Sequence, residues 1–235
     1  MQVIVTGAGS GLGAAVAGQL LRKGHTVYAL VHSLQRCGAL NAALPTEKLE
    51  ILQADLSDPG DIEHAVAEIA SRTACVDAVV NAAGVLLKKE EPLTENTYAD
   101  IEMTFRINTF APIYLNNLAL PLLRRAKAPI LLNVCSEIRA IEDVGDWFPL
   151  YCFSKTALTQ YCFSMQVTLK KTDPAMRVFA VHPGRMRTAM GGANSEIDAE
   201  TSARGIVKIL CAPQNYPDLY LDYQGNPMLE PNRKQ

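Results

Sequence analysis

The chain has 235 residues, 49% apolar and 20% charged, and its 22 Lys and Arg against 24 Asp and Glu leave a net charge of −2. That length suits one α/β domain with a core large enough to need no covalent staples. The charge balance excludes a dedicated nucleic-acid binder, which would carry a strong basic excess.

Short β-branched runs alternate with longer amphipathic segments along the whole sequence. Strands are predicted at Gln2–Thr6, Thr26–Val31, Leu49–Ala54, Val76–Asn81, Pro129–Cys135, Arg177–His182 and Leu219–Asp222. Their apolar residues are nearly continuous, as parallel strands buried on both faces require. Helices are predicted at Leu12–Lys23, Pro59–Ser71, Thr97–Ala126, Leu150–Lys171 and Ala199–Cys211. Ser57, followed by Asp58, Pro59 and Asp61, marks a cap and an acidic first turn. Gly24 closes a first helix that ends in Arg22 and Lys23, and Pro174 stops the helix that carries Tyr151. With no linker or short repeat, the alternation predicts one domain over 1–235: a doubly wound parallel sheet of about seven strands with helices on both faces. The irregular stretches Glu137–Pro149 and Arg187–Asp198 are expected to be ligand-facing loops.

Six cysteines at 37, 75, 135, 152, 162 and 211 form no CxxC pair, and no His cluster stands at metal spacing. They read as reduced thiols packed as small hydrophobes, and no metal is expected. No apolar stretch reaches the ~18–20 residues that span a bilayer, and Met1 leads directly into Val3-Ile4-Val5. A cytoplasmic protein without a membrane partner is expected.

The first strand runs into Thr6-Gly7-Ala8-Gly9-Ser10-Gly11-Leu12-Gly13 and then an Ala-rich helix. Such a turn lets the backbone approach a pyrophosphate, while the helix N-terminus offers free N–H groups. Gly7 is expected to make the tight turn, Gly11 the close approach and Gly13 the tight packing of helix on strand. NAD-binding units place an acid about 20 residues on to hold the ribose hydroxyl, but here none occurs before Glu47. The second strand ends instead in Val31-His32-Ser33, with Arg36 following. Those three side chains could hydrogen-bond a 2′-phosphate that a carboxylate would repel. NADP(H) is therefore favoured over NAD(H), although Ser10 stands where a cationic residue would strengthen the argument.

Tyr151 and Lys155 stand four apart at the start of a helix, on one face. A free phenol titrates near ~10, and an adjacent ammonium favours its ionised form. Ser136, at the end of a strand, could hydrogen-bond a substrate oxygen. Together with the glycine turn these residues gain weight that a lone YxxxK lacks. The sequence resembles the short-chain dehydrogenase/reductase family over nearly its full length, in particular its small carbonyl-reductase-like members. The matching residues are the Thr6–Gly13 turn, Asp55-Leu56, Asn81-Ala-Ala-Gly84, Asn108, Ser136, Tyr151-x-x-x-Lys155 and Pro183-Gly184 with Thr188.

The resemblance implies a Rossmann-type fold and hydride transfer between nicotinamide and a small carbonyl or alcohol. It implies Tyr151 as general acid or base, Lys155 on the nicotinamide ribose and lowering the Tyr151 pKa, Ser136 orienting the carbonyl, and Asn108 supporting a water beside Lys155. It places Asp55 and Leu56 at the adenine, Asn81, Ala82 and Gly84 at the adenosine ribose, and Pro183, Gly184, Met186 and Thr188 at the carboxamide. It also implies pairing of the helices over Thr97–Ala126 and Leu150–Lys171 across a homodimer or homotetramer. The fifteen-residue interval from Ser136 to Tyr151 is longer than the family's usual one, and Arg185 and Met186 depart from its common residues.

Trp147 and Phe148 are expected as an apolar pocket wall, His182 as a satisfied structural histidine, and Glu142, Asp143 and Asp146 as a solvated loop face. Arg185 and Arg187 could meet an anionic substrate or simply be solvated. Two other readings remain: a regulatory or scaffold protein that binds a dinucleotide without catalysis, and epimerisation or dehydration on the same cofactor. The intact Tyr151 and Lys155 speak against the first. The ~45 residues after Thr188 leave little room for the substrate domain of the second.

Overall fold

The computed structural model describes residues 1–37, 46–87, 91–137, 148–188, 190–192 and 195–229. Seven strands are β1 (Gln2–Thr6), β2 (Thr26–Val31), β3 (Leu49–Gln53), β4 (Ala78–Asn81), β5 (Ile130–Val134), β6 (Arg177–His182) and β7 (Tyr220–Asp222). They form one sheet in the order β3-β2-β1-β4-β5-β6-β7, and every pairing is parallel. The expected strands are all present, and those that are shorter than expected lose one or two residues at an end. Ala54 and Cys135, just outside β3 and β5, still donate backbone N–H groups to Val31 and Val181.

The helices are α1 (Gly11–Arg22), α2 (Pro59–Arg72), α3 (Tyr98–Phe105), α4 (Ala111–Leu123), α5 (Pro149–Thr172) and α6 (Ala199–Cys211). Strand residues alternate between two cores. Val3, Val5 and Ala29 pack with Val16 and Leu20 of α1 and Ile206 of α6, while Ile4, Tyr28 and Val79 pack with Ile62 of α2, Leu115 of α4 and Leu158 of α5. Each Val, Leu or Ile among them, once buried, contributes about 1.5–3 kcal/mol, so a sheet covered on both faces supports itself.

Two expectations are corrected. The cap of α2 is Asp58, whose carboxylate accepts from the Gly60 N–H at 2.8 Å; Ser57 turns instead to Asp55. The single helix expected over Thr97–Ala126 is α3 and α4 joined by a π turn at Arg106–Phe110. A Thr97–Asp100 capping box starts α3. The π turn accommodates an extra residue and turns Asn108 inward. Apolar periodicity does not reveal this, because the apolar residues of the segment lie on more than one side, Ile101, Met103 and Phe110 exposed and Leu115, Ala119 and Leu122 buried.

The chain leaves β1 toward β2 and later returns to β4 on the other side, so the loops after β1 and β4 diverge. The Thr6 hydroxyl ties the two ends, accepting from the Ala82 and Ala83 N–H groups at 3.0 and 3.1 Å. This reversal is where open α/β sheets bind ligands. Among the described residues no helix is long and apolar enough to cross a membrane.

Candidate active site

A cleft of about 680 Å³ opens at this reversal, within the 300–1,000 Å³ typical of ligand sites. Gly7, Ser10, Gly11, Leu12, Gly13, His32, Asp55, Leu56, Ala82, Gly84, Tyr151, Lys155, Pro183, Met186 and Thr188 all line it. Residues more than 180 positions apart in sequence thus face one space.

The floor is the glycine turn. Gly7 has φ 66°, and a Cβ there would stand 2.8 Å from the Ala83 Cα. A Cβ at Gly13 would stand 2.3 Å from the Gly7 carbonyl oxygen, so α1 sits flush on the turn. Ser10 makes no side-chain cap on α1, and the first turn has no acid. The leading N–H groups and their partial positive charge are left for a ligand anion. This cradle, which side chains would fill, fits the pyrophosphate of a dinucleotide.

Toward β2 and β3, His32 Nε2 lies 3.7 Å from the Asp55 carboxylate, both well exposed. The Ser57 backbone N–H and hydroxyl hold the Asp55 carboxyl below its usual range, with His32 adding to the effect. The Ser33 hydroxyl donates to Gln35 at 2.8 Å and does not line the cleft. The side chain of Arg36 lies outside the described residues.

Toward β5 and β6, the first turns of α5 carry Tyr151 and Lys155. Burial pushes the phenol well above its usual value, and a hydrogen bond from Ser136 opposes that rise. Burial pushes the Lys155 ammonium down. Lys155 is 4% exposed, donates to the Val134 carbonyl at 2.8 Å and lies 5.9 Å over the Tyr151 ring centroid. The resemblance implies that Lys155 lowers the Tyr151 pKa; in the structure burial of the phenol is the larger influence and raises it.

Asn108 is fully buried behind the cleft. Its Oδ1 accepts from the Val85 N–H at 2.8 Å, and its Nδ2 donates to the Val85 carbonyl at 2.9 Å and the Ser154 hydroxyl at 3.0 Å. Ser154 in turn donates to the Tyr151 carbonyl at 2.7 Å. Asn108 is therefore one hydrogen-bonded residue removed from the turn that carries Tyr151.

The family model for short chain dehydrogenase matches residues 1–198. The chain belongs to the short-chain dehydrogenase family. It is 26% identical over 220 residues, 92% of this chain and 76% of the other, to a probable short-chain type dehydrogenase/reductase, VdlC, of Helicobacter pylori. Among solved structures, an NADPH-bound carbonyl reductase from chicken fatty liver matches with a TM-score of 0.85 at 24% identity, covering 97% of this chain and 98% of that one. A putative short-chain dehydrogenase/reductase from Burkholderia multivorans with bound NADP matches equally well, with a TM-score of 0.85 at 24% identity over 97% and 99% of the two chains. At that identity the likeness is one of fold.

Several residues of this dehydrogenase stand elsewhere than the sequence suggested. The Asn81 amide is buried and donates to Asn116 and Asn133 at 2.8 and 2.9 Å, so its side chain faces the core and not the cleft. Gly184 (φ 78°) packs against Ile197 and Tyr223 behind the cleft wall. His182 is not satisfied: its buried Nδ1 finds no partner among the described residues, and burial lowers its pKa. Arg185 pairs with Glu137 at 3.0 Å, and Arg187 donates to the Ser195 and Glu196 carbonyls, so neither is simply solvated. Phe148 is half-buried with φ 48° and does not line the cleft. Trp147, Glu142, Asp143 and Asp146 lie outside the described residues. Sequence reasoning missed Val85, Ile107, Val134, Met190 and Ala199, which also line the cleft.

Proposed function

We propose that this enzyme reduces small uncharged aldehydes or ketones with NADPH, or oxidises the matching alcohols. One observation carries the reading: a single cleft joins the glycine cradle to Tyr151 and Lys155. The nicotinamide, when bound, supplies or takes the hydride. Tyr151 gives its proton to the carbonyl oxygen in reduction, and a phenol held protonated by burial suits that role. Ser136 orients the same oxygen, and Lys155 binds the nicotinamide ribose while its charge steadies the phenolate left behind. Asn108 holds the π turn against Val85 and Ser154, which fixes the start of α5.

Gly7, Ser10, Gly11, Leu12 and Gly13 are read as the pyrophosphate site. Asp55, Leu56, Ala82 and Gly84 border the adenosine half, and Pro183, Met186 and Thr188 the carboxamide. His32, together with the lack of any acid before Glu47, supports NADPH over NADH. The solved relatives from chicken and Burkholderia, which hold NADPH and NADP, point the same way. Ile107, Met186 and Met190 offer an apolar wall that suits an uncharged substrate, and Arg185 is ion-paired with Glu137; Arg187 also borders the cleft, with its guanidinium donating to the Ser195 and Glu196 carbonyls.

Residues 1–235 are read as one catalytic domain. Exposed Tyr98, Ile101, Met103, Phe110, Phe153 and Val167 on α3 through α5 suit burial against a second copy, giving a homodimer or homotetramer. Six free cysteines suit the cytoplasm. The test is NADPH and NADH titration by nicotinamide fluorescence, followed by a panel of uncharged carbonyls. NADPH consumption that depends on a carbonyl supports the reading. Binding of neither nucleotide, or no turnover across the panel, overturns it, and a clear NADH preference overturns the phosphate argument alone.

A further inference from the structure

The hydroxyl group of Ser136 works only if its segment is held still, because misplacing a reacting group by about 1 Å can cost a hundredfold in rate. Ser136 lies just past the end of β5, beyond the ladder bond from the Cys135 N–H to the Val181 carbonyl. Two restraints reach this segment from the β6–β7 side of the sheet. Tyr220 of β7 is 2% exposed, and its hydroxyl donates to the Ser136 carbonyl. Its own backbone is fixed by pairing with Ala180 of β6 and by the Met228 N–H, which donates to the Tyr220 carbonyl at 2.9 Å. The next residue along, Glu137, is held by Arg185, which follows β6, at 3.0 Å.

We propose that Tyr220 is a positioning residue for catalysis: from the last strand it clamps the Ser136 carbonyl, with Arg185 on Glu137 as the second arm, and so aims the Ser136 hydroxyl at Tyr151. The inference rests on the reading of Ser136 and Tyr151 as the reacting pair. A buried tyrosine hydroxyl needs some partner, so satisfaction alone would account for a bond. What satisfaction does not account for is the choice of partner, the backbone of the serine that faces Tyr151. The clamp also gives the C-terminal strand a part in the active site without any contact to substrate.

The test compares Tyr220→Phe with Tyr28→Phe. Tyr28 is also buried, and its hydroxyl donates to Gln2 Oε1 at 2.8 Å, at the other end of the strands from the cleft. Tyr220→Phe is expected to lower kcat for carbonyl reduction about tenfold with the KM for NADPH unchanged. The rise of alcohol oxidation with pH, which follows deprotonation of Tyr151, should also shift to higher pH, because a loosened Ser136 lowers the Tyr151 pKa less. Tyr28→Phe should lose comparable thermal stability and keep its kcat. Arg185→Ala, a surface change that leaves folding intact, should lower kcat a few-fold in the same pattern and stands in if Tyr220→Phe does not fold. A wild-type kcat and pH profile in the Tyr220 and Arg185 variants, or an equal fall in Tyr28→Phe, overturns the proposal. A wild-type enzyme that turns over no carbonyl sinks the underlying reading and this one with it; an active wild type with unaffected variants sinks the clamp alone.

Discussion

Two glycines of the same turn should respond to alanine in opposite ways. At Gly13 the added Cβ would lie 2.3 Å from the Gly7 carbonyl oxygen and 2.8 Å from that of Thr6. Carbon–oxygen contacts normally stand at about 3.3–3.6 Å, so α1 or the turn must give by about 1 Å, and both are backbone. Overpacking of this kind costs about 1–3 kcal/mol, which in a chain of this size corresponds to a Tm lower by roughly 2–12 °C. The same shift deforms the cradle, so NADPH affinity should fall at least about tenfold, or 1.4 kcal/mol. At Gly9 the nearest atoms are Val31 Cβ and Cγ1, both at 3.8 Å, an ordinary contact. Gly9→Ala should therefore be neutral, or stabilising by up to about 1 kcal/mol through loss of unfolded-state freedom. Thermal and urea unfolding of both variants, with NADPH titration of each, makes the comparison. A Gly13→Ala protein as stable as wild type, or a Gly9→Ala protein as damaged as Gly13→Ala, would refute the packing argument.

Asn108→Ala removes the partner of both the Val85 N–H and the Val85 carbonyl; at about 1–3 kcal/mol for each orphaned group, urea unfolding should show a loss of roughly 2–6 kcal/mol. Burial lowers the pKa of His182 and His25 in the folded state. The unfolded chain therefore binds more protons below its histidine pKa of about 6.5, and stability should fall as pH drops through that value toward the folded pKa. His182→Gln should flatten this slope, and an unchanged slope would contradict the assignment. Phe110 is 56% exposed on the π turn, and Phe110→Glu should convert an oligomer to monomer by light scattering without unfolding it. A monomeric wild type would contradict the interface.

The sheet was legible because parallel strands buried on both faces leave nearly continuous apolar runs, as in Val3-Ile4-Val5 and Val178-Phe179-Ala180-Val181. The glycine turn was legible because close backbone approach admits no side chain, and Gly13 against Gly7 is such an approach. Side-chain direction was less so. Nothing in the residue type at Asn81 distinguishes an amide turned to the cleft from one turned to Asn116 and Asn133, since both strand faces are covered. Val134 was out of reach for a different reason: it acts through its backbone carbonyl, which any residue would supply. Ser154 had a weak signal, a hydroxyl three residues after Tyr151 on the same helix face. Tyr220 had only the presence of a hydroxyl-bearing aromatic in the last strand. The π turn at Asn108 had none in the apolar pattern.

The central claim is that Tyr151 delivers the proton in a cleft that other residues build to hold the nicotinamide dinucleotide. The most direct measurement follows NADPH binding and carbonyl-dependent NADPH consumption in the wild type and in Tyr151→Phe. The account predicts that the variant binds NADPH within a few-fold of wild type while its turnover falls by about 10²–10⁴. A Tyr151→Phe enzyme that still reduces its carbonyl at the wild-type rate would contradict it.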